Sequence, residues 1–138
     1  MSSDFVGLRV IWPPDGTPPP RHDQDIIFVH GLHHGSISQW RDKKGVCWPF
    51  EHLSLDLENA RILAFGYDPT KLNVSSDGFY RGGLLFKQGE DLWSRLKTRR
   101  SPEKIQVPIT LVGHDTGAIV IRSVSSMPNV RYNSAYGK

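Results

Sequence analysis

The chain has 138 residues, 38 % of them hydrophobic and 10 % aromatic, with 17 basic against 14 acidic side chains and a net charge of +3. That length supports one domain with a real core. The basic residues are scattered apart from Lys97-Thr-Arg-Arg100, which argues against a nucleic-acid surface.

No apolar run approaches the roughly 20 residues needed to span a bilayer, so no transmembrane segment is expected; peripheral membrane association remains open. The N-terminus carries Asp4 and Arg9 and lacks the basic-then-apolar pattern of a secretory signal. Cys47 is the only cysteine, so no internal disulfide can form. An intracellular, reducing compartment is the default expectation, cytoplasmic in the first instance. Asn73-Val-Ser75 fits a glycosylation sequon, but without a secretory signal it reads as a polar loop.

In chain order, Gly7–Trp12 is β-branched and aromatic and predicts a short strand, cut off by the proline-rich run from Pro13 to Pro20. That run reads as a stiff surface loop. Asp25–His30 is an almost unbroken apolar strand of the kind buried on both faces of a parallel sheet. Gly31-Leu-His-His-Gly35 is a loop, and Val46–Leu55 predicts a short helix, with Pro49 suited to its first turn. Arg61–Gly66 predicts a second buried strand and Lys71–Asp77 a polar loop. Leu85, Leu92 and Leu96 with Trp93 predict an amphipathic helix over Leu84–Arg99, weakened by Gly89 and closed by basic residues. Pro108 opens a third buried strand, and a helix follows from Thr116 to about Ser125. The residues from Asn129 onward show no periodicity and predict a frayed tail.

Alternating strands and helices imply βαβ units: an α/β fold with a mostly parallel sheet and helices on both faces. The division expected is residues 1–24 as an N-terminal strand and proline-rich loop, 25–126 as the α/β domain, and 127–138 as a tail.

The stretch with most chemical content is Pro108–Arg122. An apolar run stops at Gly113, Asp115 follows two residues later, then Gly117 and a second apolar run. Gly-x-nucleophile-x-Gly between a strand and a helix is the nucleophile elbow of α/β-hydrolases. The glycines serve a turn so tight that flanking side chains would collide.

Taken together, Gly7-Leu-Arg-Val10, Asp25–Leu32, Trp40, Trp48-Pro49, Ala60–Asp68 and Val112–Gly117 form an ordered set. It resembles the N-terminal half of the lipase-like serine esterases, an α/β-hydrolase family with a mitochondrial member. The resemblance spans residues 7 to about 126 and implies a truncated α/β-hydrolase fold. It implies ester or lipid-like small molecules as substrates, and a mitochondrial or endoplasmic-reticulum location as an alternative to the cytoplasm. It places the backbone N–H of Leu32, in the His30-Gly31-Leu32 loop, in one half of an oxyanion hole. The N–H of Thr116 supplies the other half. His30, Gly31, Gly113, His114 and Gly117 support the elbow and loop.

The chain departs from the family in two ways. Asp115 stands where the family has serine, and the 138 − 115 = 23 residues after it contain no His, Asp or Glu, although the triad's acid and histidine follow the nucleophile in this fold. Three readings follow: an incomplete, inactive esterase-like domain, a non-catalytic interaction module, or a hydrolase with an aspartate nucleophile of the dehalogenase or epoxide-hydrolase type. In the first, Asp115 is a drifted serine that now caps its helix.

His30, His33 and His34 form a cluster without a third ligand type placed nearby, so no metal is expected. Gly31–Ser36 lacks the Gly-Lys-Ser/Thr ending of a phosphate loop, and no cofactor is expected. Trp40, Trp48 and Trp93 read as core or sheet-covering residues. Without further strands, Ile109–Val112 would present an apolar edge, a route to oligomers.

Overall fold

A computed structural model describes residues 3–71, 82–101 and 106–127; the Asn73 sequon, most of the Lys71–Asp77 loop and the tail beyond Met127 lie outside them. Four strands form one sheet: β1 (Gly7–Trp12), β2 (Gln24–Val29), β3 (Ala60–Gly66) and β4 (Ile109–Gly113), in the order β1-β3-β2-β4. β2 runs parallel to both β3 and β4, and β1 joins antiparallel at the far edge. This is the α/β, mostly parallel arrangement that the alternation of elements implied.

The unbroken apolar runs of β2 and β3 are explained by burial on both faces. Ile27, Val29, Leu63 and Phe65 point to one side, where they meet Leu85, Leu92, Leu96, Val120 and Val124. Those partners come from α2 (Gly82–Arg100) and α3 (Thr116–Ser125). Each fully buried leucine there contributes roughly 1.5–3 kcal/mol. Ile26, Phe28, Ile62 and Ala64 point to the other side, against Ile37, Trp40 and Cys47. That second face is covered by short turns rather than long helices. They comprise a 3-10 turn at Ser38–Trp40, a π-helical turn at Pro49–Leu53 and a single α turn, α1 (Ser54–Asp56). Among the described residues, the longer helices therefore lie on one face and short helical turns on the other.

Two local readings are corrected and a third is narrowed. Gly89 does not merely weaken its helix: a Cβ there would lie 2.5 Å from Ser123 Oγ and 2.8 Å from the Val120 carbonyl oxygen. It is the point where α2 and α3 touch backbone to backbone, and Ser123 Oγ donates to the Phe86 carbonyl across the same contact. Trp48, 38 % exposed, rests edge-on against Phe28 and so covers the sheet, one of the two roles expected of it. β4 reads as buried but is half-exposed along its length, because it has a partner strand on one side only among the described residues.

The register brings the ends of the three parallel strands level. Val29 pairs with Phe65 on one side and with Gly113 on the other. The residues just beyond them, at 30–32, 67 and 114–117, therefore share one rim. The carboxyl ends of parallel strands are where α/β folds place their ligands.

Candidate active site

At the β4 side of that rim, next to the end of β2, β4 turns into α3 through His114 and Asp115. Asp115 has φ 56° and ψ −121° and is the one non-glycine residue with positive φ among those described. Such a conformation costs about 1–3 kcal/mol and persists only where the surroundings impose it. The surroundings are named by the two glycines. A Cβ on Gly113 would lie 2.6 Å from Ile121 Cδ1 and 2.9 Å from the Ala118 nitrogen; on Gly117 it would lie 2.3 Å from the Val29 carbonyl oxygen. Strand and helix are thus folded onto each other too closely for any side chain at either position. The turn is closed by Gly117 N–H to the His114 carbonyl and Ala118 N–H to that of Asp115.

The capping reading of Asp115 does not hold. Its side chain makes no cap hydrogen bond, and its backbone is not in the extended conformation typical of a capping residue. The side chain is exposed.

The His30–Gly35 loop lies directly against the elbow. A Cβ on Gly31 would sit 3.0 Å from Asp115 Cβ and 2.9 Å from the His114 carbonyl oxygen. The Gly31 N–H donates to Gln39 Oε1 at 3.0 Å. Neither the Leu32 N–H nor the Thr116 N–H is paired with another described residue.

His30 is fully buried, and His33, His34 and His114 are exposed. Burial pushes the His30 pKa down, partly offset by hydrogen bonds at Gly31 and Tyr67. The ring is therefore neutral near pH 7, and its tautomer follows from its partners. The Tyr67 N–H donates to Nε2 at 3.0 Å, so the proton is on Nδ1, which donates to the Gly31 carbonyl at 2.7 Å. His30 is a structural support rather than a ligand, and among the described residues no group of three or more His, Cys, Asp or Glu could hold a metal ion.

Sequence reasoning missed three residues here. Tyr67, stacked on the His30 ring at 4.2 Å, joins His30 to Thr116. Its place just past the end of β3 was the available signal. Gln39 fixes Gly31. Asp4 reaches across from the N-terminus to accept from Ile37 N–H at 2.7 Å, Ser38 N–H at 2.8 Å and Ser38 Oγ at 2.8 Å. Burial works to raise the pKa of the Asp4 carboxyl, but these hydrogen bonds outweigh it and hold it below its ordinary value.

Among curated proteins, the chain is similar to Protein SERAC1 of Danio rerio, at 29 % identity over 122 residues. The relationship is distant and partial. The match covers 72 % of this chain but 18 % of that protein, so the chain spans less than a fifth of its length. No family model matches the chain, and no solved structure does. The likeness is consistent with a hydrolase-like relationship at a coarse level.

Proposed function

We propose that the chain is the nucleophile-bearing part of a lipase/esterase-like α/β-hydrolase domain. Asp115 occupies the nucleophile position, and the N–H groups of Leu32 and Thr116 form an oxyanion-binding pair. The supporting observation is the backbone of Asp115, held at φ 56° between two glycines that admit no side chain. A residue that only started a helix would have no reason to keep that strain. In acyl transfer, negative charge builds on the carbonyl oxygen of a carboxylic ester. Two free N–H groups beside the nucleophile are suited to receive it, each typically worth about 2.7–4 kcal/mol of barrier.

These 138 residues offer no acid or histidine after Asp115, so this chain alone should not turn over esters beyond the slight effect of a bare oxyanion hole. The test is hydrolysis of 4-nitrophenyl butyrate by the purified chain and by Asp115→Ala. Equal background rates are expected, and a rate that disappears in Asp115→Ala would overturn the inactivity. A backbone coupling by NMR that puts Asp115 at negative φ would sink the elbow itself.

A second reading is favoured by one observation: the Asp115 carboxylate accepts no hydrogen bond from another described residue and is free to attack. Its oxygen would bond to an epoxide carbon while the ring C–O bond breaks, leaving an alkoxide that takes a proton from water. Without a histidine-activated water the resulting ester would persist. Intact-mass analysis after exposure to styrene oxide should then show one adduct on Asp115, and none in Asp115→Ala.

A further inference from the structure

We infer that Tyr67 is a positioning residue whose hydroxyl sets the spacing between the two backbone donors at Leu32 and Thr116. The inference rests on the reading of those N–H groups as an anion-holding pair. The two donors belong to different elements, the loop after β2 and the first turn of α3, and nothing in the chain's connectivity fixes one against the other. Tyr67, at the end of β3, touches both. Its hydroxyl lies 2.8 Å from the His30 carbonyl oxygen and 2.7 Å from Thr116 Oγ1.

The direction of these bonds is determined. A carbonyl can only accept, so the Tyr67 O–H donates to His30, and Thr116 Oγ1–H must donate to the Tyr67 oxygen. The other end of the residue is equally committed. Its backbone N–H holds His30 Nε2, and its ring stacks on the imidazole with the planes 15° apart. His30 in turn grips the Gly31 carbonyl through Nδ1, and that carbonyl belongs to the same peptide unit as the Leu32 N–H. A continuous line of buried bonds therefore runs from the Leu32 peptide through His30 and Tyr67 to the Thr116 side chain. Tyr67 is 3 % exposed and Thr116 4 %, so water cannot replace the hydroxyl without a rearrangement. The absence of a Cβ at Gly117, 2.7 Å from the His30 carbonyl oxygen if it existed, leaves room for the link.

The test uses the full chain labelled with 15N. Tyr67→Phe and Thr116→Val each remove one hydroxyl from the link, whereas Thr116→Ser keeps it. The Leu32 amide signal should move in the first two variants and stay in the third, and the Thr116 amide should move in Tyr67→Phe, with Ile27 and Leu63 unmoved in all. Changes confined to the neighbours of each substitution would overturn the inference. If Tyr67→Phe does not fold, Thr116→Val against Thr116→Ser decides alone.

A second arm separates this claim from the reading beneath it. In Asp115→Asn, which removes the neighbouring negative charge, acetate is titrated against the same two amides. Saturable shifts at both are expected, with an apparent dissociation constant about tenfold weaker once Tyr67→Phe is added, the effect of one misplaced charge-assisted hydrogen bond. Equal constants would overturn the positioning role. No shift at either amide in Asp115→Asn would count against the anion-holding pair, while the first arm still decides whether Tyr67 links the two elements.

Discussion

The two ends of β2 handle polar groups in opposite ways. At the amino end, Asp25 is fully buried and surrounded: Arg61 meets it through Nε at 3.0 Å and Nη2 at 3.1 Å, His22 Nε2 stands 2.7 Å away, and Arg100 Nε lies at 3.7 Å. At the carboxyl end, the buried groups of His30, Tyr67 and Thr116 are neutral and bonded to one another, and the charge sits outside them on Asp115. One carboxylate is enclosed by cations; the other is held out on a strained turn beside N–H groups that pair with no other described residue. A group that serves the fold is satisfied within the fold, whereas a group meant for a ligand is left unsatisfied at some cost. The proposed function rests on this difference rather than on residue type, since both groups are aspartates.

The largest effect expected from breaking this contrast is at the amino end. Asp25→Ala would leave Arg61 buried without its carboxylate, and removing one partner of such a pair costs about 3–5 kcal/mol. Urea denaturation would register it as a large drop in midpoint. A loss below about 1 kcal/mol would mean that the cluster is as solvated as a surface pair. Next comes Gly117→Ala. Its new Cβ would sit 2.3 Å from a backbone oxygen that cannot yield, and overpacking of this kind costs about 1–3 kcal/mol. A neutral result there would mean that the elbow is looser than its geometry implies.

Much of this contrast was legible in the sequence, and what was not has a physical cause. The strands, the order of elements and the elbow follow from local signals: apolar runs, Pro49, Gly113 and Gly117. The enclosure of Asp25 depends on pairing with Arg61, 36 residues away in the chain, and no local pattern encodes such a pair. Asp4 holding Ile37 and Ser38 is illegible for the same reason. The half-exposure of β4 fits the apolar edge expected of Ile109–Val112, although the run by itself reads the same at the centre of a sheet as at its edge. That edge bears on association: we expect concentration-dependent oligomers through β4, and a monodisperse monomer by light scattering would count against it.

A smaller effect, of opposite sign, is expected at the elbow. Asp115→Gly should stabilise the chain, because glycine adopts φ 56° without strain. Relief of about 1–3 kcal/mol is offset by the entropy that glycine loses on folding, about 0.5–1 kcal/mol, for a net gain of roughly 1 kcal/mol. Were Asp115 a helix cap, its removal would instead cost about 0.5–2 kcal/mol. The sign of the shift in thermal midpoint therefore separates a residue held for chemistry from one that merely starts a helix.

The subtlest difference between the two ends is how they respond to acid. His30 has a folded pKa below its ordinary 6.5 because it is buried. Between the folded value and 6.5 the unfolded chain binds more protons, so stability rises with pH across that window and is lost as pH falls below 6.5. Asp4 acts in a separate window: its folded pKa lies below 3.8, so its contribution is complete above 3.8 and disappears as pH falls through the folded value. Urea midpoints at about pH 7.5 and about pH 5.5 should therefore differ through His30 and not through Asp4. His30→Asn should flatten that difference and Asp4→Asn should leave it in place. If Asp4→Asn flattened it too, the loop anchor and the buried imidazole would have to titrate as one unit. The rim would then be a coupled device rather than a rigid support for Asp115.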